Sequence, residues 1–428
     1  MSAAPQPELL RSLRRWDLVA VVINGVIGAG IFGLPSHVYA LSGVYSLWAF
    51  AACAVCVAPI VLCFAEVASR FSGTGGPYLY AREAFGPLTG FAVGWLVWIA
   101  RVTSLAANAS LLPAYLGFFF PSAAAGFPRL AVVTIVVVVL AMVNLRGVRG
   151  TADASNALAI GKLLPIAIFI AAGFFFLDPH RFAAPPPLDS HNFWQSVLLL
   201  LYAFTGFEMA VIPAGEARNP GKDLAPALMI GMAAVIVVYL SIQAVCIGTL
   251  PGLATSQRPL ADASGRFLGR GGAALLTAGM LVSLAGNLNA LILAASRLLF
   301  AMAERQELPR PLANVHPRYR TPAAAILATG FVMLVLIWSG TFIYLVTLST
   351  LARLVTYLST CAALPVLRRS PTPNQAGFRL PGGAWIACAG MTVCIWLLSH
   401  SNLNEARDAG VVLAIGLAIF GLYRISVR

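Results

Sequence analysis

The most informative chemistry in this sequence belongs to the backbone. Residues 24–33 read NGVIGAGIFG, and Pro35 follows. Each glycine lowers helix stability by about 1 kcal/mol relative to alanine, so the run predicts a break in a helix at Gly28-Ala29-Gly30. The N–H groups freed at the start of the second half-helix would favour an anion such as a carboxylate.

A second segment of the same kind lies near the middle of the chain. Residues 202–208 read YAFTGFE, and Pro213 follows. A break at Gly206 would free carbonyl groups near Ala203 and Phe204, and the half-helix that ends near Ile27 would do the same. Carbonyls suit an ammonium group, so the two breaks together predict a site for a zwitterion.

Other interpretations of the glycine run compete with this one. Residues 28–33 match the G-x-G-x-x-G pattern of dinucleotide sites, but such a site needs a preceding strand and an acidic residue about 20 positions later. Residues 47–57 contain no acid. Close packing of small residues between helices is the second alternative. We find no metal-ligand or catalytic spacing of His, Cys or acidic residues, so we expect no enzyme, metal or cofactor.

Two arginines fall inside apolar runs, where a charge costs a few kcal/mol and usually faces a pathway or a partner. Arg101, Ser104 and Asn108 share one helical face at i, i+3 and i+7. Arg353 lies between Thr350 and Tyr357 in the same pattern. If both arginines face the pocket, it is electropositive and favours acidic substrates. Alternatively, they pair with Glu66, Glu208 or backbone carbonyls as structural contacts.

The composition indicates what surrounds these residues. Of 428 residues, 59% are hydrophobic and only 10% are charged, whereas an ordinary soluble domain is about a quarter charged. Lipid must therefore be the outer solvent. The net charge of +13 is spread as short arginine clusters between apolar runs, which is typical of membrane loops and not of a nucleic-acid surface.

A membrane-spanning helix needs about 20 mostly apolar residues. Twelve such runs are visible, at 17–40, 43–67, 87–117, 127–145, 156–177, 193–214, 225–250, 272–302, 322–339, 342–366, 382–399 and 409–424. With the N-terminus inside, 19 basic residues fall on the cytoplasmic side and 6 outside. This predicts cytoplasmic termini, a cytoplasmic segment 1–16, and one domain over residues 1–428 in the plasma (inner) membrane.

Several short motifs occur in a specific order along the chain. They are GAGIFGLP at 28–35, AFTGFE at 203–208, EARNP at 216–220, Ser296-Arg297, Glu307-Leu308-Pro309 and Thr321-Pro322. In this order the chain resembles permeases of the amino acid–polyamine–organocation superfamily over essentially its whole length. The resemblance implies an all-α leucine-transporter fold, in which two inverted five-helix repeats (17–366) precede two peripheral helices (382–424) and helices 1 and 6 are discontinuous.

The resemblance also implies roles for single residues. Tyr202 or Phe204 would close over the substrate, and Glu208 would act in gating, although ordinary packing and a structural salt bridge are the respective alternatives. Lys162 would place its ammonium where sodium-dependent relatives hold sodium. That makes it a candidate coupling group, unless it is a lysine that snorkels to the cytoplasmic end of its helix.

We therefore expect a secondary active transporter that moves amino acids by alternating access, independently of sodium, with proton coupling or exchange. The partners would be an amino acid, the bilayer and protons, with a monomer or homodimer as the assembly. An amino acid-sensing receptor and a polyamine or organic amine permease remain alternatives. The sequence does not identify the amino acid.

Overall fold

The computed structural model describes residues 14–71, 76–146, 152–183, 187–211, 218–369 and 377–427. Within these ranges the regular structure is helical and contains no β-strand. The all-α fold expected from the sequence is therefore confirmed for the described part of the chain.

The α-helices are numbered in chain order. They are α1 (Arg15–Val26), α2 (Gly30–Ser42), α3 (Ser46–Ser69), α4 (Pro77–Phe85), α5 (Pro87–Leu116), α6 (Gly126–Arg146), α7 (Ala152–Gly173), α8 (Ser190–Phe204), α9 (Pro220–Thr249), α10 (Pro259–Phe267), α11 (Gly269–Glu304), α12 (Ala323–Ser339), α13 (Phe342–Arg369), α14 (Gly383–Ser399) and α15 (Leu403–Val427). The short helices α4 and α10 were not predicted, because their mixed composition resembles that of loops.

Among the described residues, seven helical stretches are long and apolar enough to cross a membrane, and three shorter apolar helices accompany them. The long helix α5 is buried over most of its length and packs most extensively against α13, so these two lie at the centre. Helices α6 and α15 expose most of their apolar side chains. The outer helices thus expose apolar side chains while the central helices are buried among them. This is the arrangement expected of a protein surrounded by lipid.

Both predicted interruptions are present. The first apolar run is divided into α1 and α2 by residues 27–29. The run at 193–214 ends its α-helix at Phe204, and a 3-10 helix, Phe207–Ala210, follows Thr205 and Gly206. Its end, residues 212–214, lies outside the described residues. The two breaks lie beside each other, because α1 packs against the 3-10 helix.

A buried carboxylate joins three parts of the fold. Glu66, near the end of α3, is fully buried. It accepts hydrogen bonds from Arg70 Nη2 (2.9 Å), from Arg368 Nε (2.8 Å) and Nη2 (2.5 Å), and from the backbone N–H of Leu380 (2.8 Å). The carboxylate thereby links α3 to the end of α13 and to the segment before α14.

Replacing this carboxylate tests how much the cluster stabilises the fold. We expect Glu66→Gln to lower the free energy of unfolding by about 3 kcal/mol or more, because it leaves a partly buried arginine pair without its counter-charge. The midpoint of thermal unfolding in detergent measures the effect. Glu83→Gln, at an exposed position of α4, is the matched control. Equal midpoints for the two variants would contradict a stabilising role for the cluster.

Candidate ligand-binding cavity

A cavity of about 740 Å³ lies where the two helix breaks meet. Its walls come from α1, α2, α5, α7, α8, α11 and α13, and from the 3-10 helix after the second break. The lining includes eleven residues that the sequence had singled out, namely Gly28, Ala29, Gly30, Arg101, Ser104, Asn108, Lys162, Tyr202, Gly206, Glu208 and Arg353. Residues far apart in the sequence thus converge on one space of a size typical of small-molecule sites.

Three residues expected in the site do not line this cavity. Phe204 is fully buried, with its ring centroid 5.2 Å from that of Tyr239. The carbonyl oxygen of Ala203 lies 2.9 Å from the Tyr239 hydroxyl, and that of Ile27 accepts a 2.6 Å hydrogen bond from Lys162 Nζ. The carbonyls expected to be free for an ammonium group therefore already have partners within the protein, although each oxygen keeps a second lone pair.

The start of α2 keeps unpaired donors. Within the described residues, the backbone N–H groups of Ala29, Gly30 and Ile31 donate to no backbone or side-chain acceptor. Ala29 and Gly30 line the cavity. The first N–H groups of a helix lack partners within the helix and carry the positive end of its dipole. These donors can therefore hold an anionic group of a ligand.

Two glycines allow the breaks to approach each other. Gly206 has φ of +111°, a conformation that side chains disfavour. A Cβ atom at Gly206 would overlap the carbonyl oxygen of Gly25, and one at Gly25 would lie 2.8 Å from the carbonyl oxygen of Gly206. The crossing of the two interrupted helices thus requires glycine on both sides.

Lys162 projects from α7 to the first break. Its Nζ donates to the carbonyl oxygens of Asn24 and Ile27, each at 2.6 Å, and only 4% of the residue is exposed. These carbonyls belong to the end of α1, where the helix dipole is negative. The ammonium therefore satisfies the carbonyls of the broken helix and does not point towards an end of α7.

A chain of amides and a hydroxyl forms another part of the wall. The Tyr202 hydroxyl donates to Asn108 Oδ1 (2.6 Å), and Asn108 Nδ2 donates to Asn287 Oδ1 (2.8 Å). This places Tyr202 at the cavity and joins α8, α5 and α11. Of the two aromatic residues proposed to close over a ligand, Tyr202 is the one that lines the space.

Glu208 is the centre of a buried polar cluster. Its carboxylate forms an ion pair with Arg353, and it accepts hydrogen bonds from the Tyr357 hydroxyl (3.0 Å) and the Gly206 N–H (2.9 Å). Arg353 Nη2 also donates to Ser104 Oγ (3.1 Å). Arg353 is therefore paired with Glu208, which is the structural alternative that the sequence analysis raised for this arginine. Arg101 instead donates from Nη1 to the carbonyl oxygen of Ala294 (3.0 Å).

Sequence reasoning missed Tyr239. Its hydroxyl lies 2.8 Å from the carbonyl oxygen of Val26 and 2.9 Å from that of Ala203, so it bridges the ends of both interrupted helices. The one signal was a tyrosine within the mostly apolar run at 225–250. That signal is weak, because tyrosines also pack in helix interfaces without such a role.

Comparison with known proteins identifies a matching protein family. The family model described as "Amino acid permease" matches residues 13–420. The serine/threonine exchanger SteT of Bacillus subtilis is 28% identical over 95% of this chain and 94% of its own length. The methylthioribose transporter of the same organism is 27% identical (97% and 94%), and its branched-chain amino acid permease BcaP is 27% identical (98% and 94%).

The contact between the two breaks can be tested by replacing one of its glycines with alanine, which adds a single methyl group. We expect Gly206→Ala to destabilise the protein by about 2 kcal/mol or more, because the side chain disfavours φ of +111° and overlaps the Gly25 carbonyl. Thermal unfolding in detergent and the yield of monodisperse protein measure this. Gly421→Ala, in α15 with open space around it, should be neutral or slightly stabilising. A Gly206→Ala midpoint equal to that of the wild type would contradict the required contact.

Proposed function

This chain belongs to the amino acid permease family, whose members are transporters and not enzymes, and on that premise we propose that it carries an amino acid across the cytoplasmic membrane by alternating access. One observation carries the proposal. Two interrupted helices meet at one cavity, and the second half of the first keeps the N–H groups of Ala29, Gly30 and Ile31 unpaired. A substrate carboxylate would complete these hydrogen bonds.

The arrangement supports binding of the amino acid backbone. The α-carboxylate would accept from the start of α2, where N–H groups and dipole act together. The α-ammonium would lie towards the carbonyl-rich ends of α1 and α8, using the second lone pairs of Ile27 and Ala203 after a small shift. Broken helices facing a central cavity are also the form that substrate sites take in transporters with inverted repeats.

We extend this proposal to the whole chain as one domain with twelve spans. Residues 17–366 would form two inverted repeats of five helices, and residues 382–424 two peripheral helices. The breaks support this, because they occur in the first span of each half. The excess of basic residues on one side supports cytoplasmic termini. Partly exposed Val21 and exposed Arg297 line the cavity on that side, which suits a state open to the cytoplasm.

Lys162 supports transport that does not depend on sodium. Its ammonium occupies the space between the carbonyls of Asn24 and Ile27, which would otherwise need a cation. Loss of the proton would remove the positive charge that faces the negative end of the α1 dipole and so loosen the break. Transport would then be coupled to protons or proceed as exchange, with Tyr202 and Glu208 moving as the cavity closes.

Uptake by the purified protein in proteoliposomes tests the function. We expect saturable uptake of at least one labelled amino acid, driven by an inward proton gradient or by preloaded amino acid, with no requirement for sodium. A sensor would bind an amino acid without moving it, and a polyamine permease would accept only amines. Absence of saturable uptake and exchange for every amino acid would refute the proposal.

The chain offers a matched pair of lysines for testing the coupling role. We expect Lys162→Gln to reduce gradient-driven uptake by about tenfold or more, because the neutral amide cannot replace the ammonium between two carbonyls. Lys222→Gln, at an exposed position of α9, should leave uptake unchanged. The measurement is initial uptake with and without a pH gradient. A Lys162→Gln protein that keeps the wild-type response to the gradient would exclude this residue from coupling.

A further inference from the structure

The charges of the described side chains around the cavity do not balance. Four described basic side chains line it, Arg101, Lys162, Arg297 and Arg353, against one described carboxylate, that of Glu208. Arg297 is exposed, so water can screen its charge, whereas Lys162 and Arg353 are buried. A closed cavity around a zwitterion, which adds no net charge, would enclose an excess of positive charge.

Glu208 is not available to correct this imbalance at Arg101. Its two oxygens already accept from Arg353, Tyr357 and the backbone of Gly206. Arg353 in turn is held by Glu208 and Ser104. The negative charge and the second arginine therefore form a closed pair within the wall of the cavity.

Arg101 has no comparable partner. A guanidinium carries five N–H donors, and within the described residues that of Arg101 makes one hydrogen bond, to the carbonyl oxygen of Ala294. It forms no salt bridge to any described acidic residue, while it lines the cavity. Arg101 is partly exposed in this open state, but closure of the cavity around a ligand would leave its guanidinium in a low-dielectric site, where it is costly without an acceptor. No described acidic side chain reaches it, so the ligand is left to supply the acceptor.

The position of Arg101 indicates which part of the ligand this is. Ser104 and Asn108 lie on the same face of α5. The Tyr202 hydroxyl donates to Asn108 Oδ1 at 2.6 Å and lies 3.4 Å from the backbone carbonyl oxygen of Ser104. Tyr202 also borders Gly30, where the backbone of an amino acid would bind. Arg101 precedes Ser104 by three residues, which is less than one turn of α5. A short side chain extending from the substrate backbone along α5 would reach it.

We propose that the substrate is an acidic amino acid whose side-chain carboxylate is bound by Arg101. The inference rests on the proposed function, since it assumes that the substrate backbone lies at the breaks. A planar guanidinium matches a carboxylate with two parallel N–H···O bonds, which neutral side chains cannot equal. A basic substrate would add like charge to the cavity and is excluded.

Competition in proteoliposomes measures this preference. Unlabelled glutamate or aspartate should halve uptake at a concentration about tenfold or more below that of glutamine or asparagine, which have the same shape without the charge. Arginine should not compete. In Arg101→Gln, the preference for glutamate over glutamine should disappear, a loss of about tenfold or more, while uptake of neutral amino acids continues. Arg101→Lys should retain part of the preference.

The control is Arg270→Gln, an exposed arginine at the start of α11, which should keep the wild-type preference. If Arg101→Gln proves too unstable to reconstitute, ligand-induced shifts of the unfolding midpoint decide the matter. Glutamate should raise the unfolding midpoint of the wild-type protein more than glutamine does. In Arg101→Lys, this difference between the two ligands should be smaller.

Each other outcome has a definite meaning. Uptake of neutral amino acids without competition by acidic ones overturns the inference and leaves the transport function standing. An Arg101→Gln protein that loses all amino acids equally also overturns it, because the arginine would then bind the α-carboxylate. Absence of transport for every amino acid overturns the proposed function itself.

Discussion

A helix interrupted inside an apolar bundle leaves backbone N–H and carbonyl groups without partners, and the centre of this structure is arranged around that cost. At the carbonyl ends of the breaks, protein groups supply the missing donors: Lys162 at Asn24 and Ile27, and Tyr239 between Val26 and Ala203. At the N–H end, the start of α2, no described group supplies an acceptor. This asymmetry is the basis for proposing the cavity as a binding site, because a ligand carboxylate would complete what the fold leaves unpaired.

The polar groups around the breaks differ in how fully they are satisfied. Glu208 has donors on both oxygens and joins α13 to the second break through Arg353 and Tyr357. Such a closed cluster specifies one arrangement of its helices, since partial separation would leave a buried charge unpaired. Arg101 has one hydrogen bond and faces the cavity. Within one cavity, the satisfied groups thus hold the structure, and the groups with free donors are those that we propose meet the ligand.

The family relationship and the cavity contribute different information. The relatives are named for serine and threonine, for methylthioribose and for branched-chain amino acids, so similar chains of similar length are associated with unlike molecules. For the relatives named for amino acids, a site that binds the α-carboxylate and α-ammonium would serve every substrate, whereas methylthioribose carries neither group. Selectivity would then depend on side chains beyond the breaks, and in this chain we propose that the guanidinium of Arg101 is one of them.

The sequence by itself determined the all-α class, the membrane environment and both helix breaks, because these depend on local composition: apolar content sets the solvent, and clustered glycines weaken one helix at one place. It also identified Lys162, Arg101 and Arg353 as charges inside apolar runs. Only the tertiary structure decided their partners. Arg353 and Glu208 are 145 residues apart, and Lys162 and Ile27 are 135 apart, so no local pattern records which arginine is paired. The same holds for Tyr239, and for Phe204, which packs away from the cavity because α9 and α3 cover it.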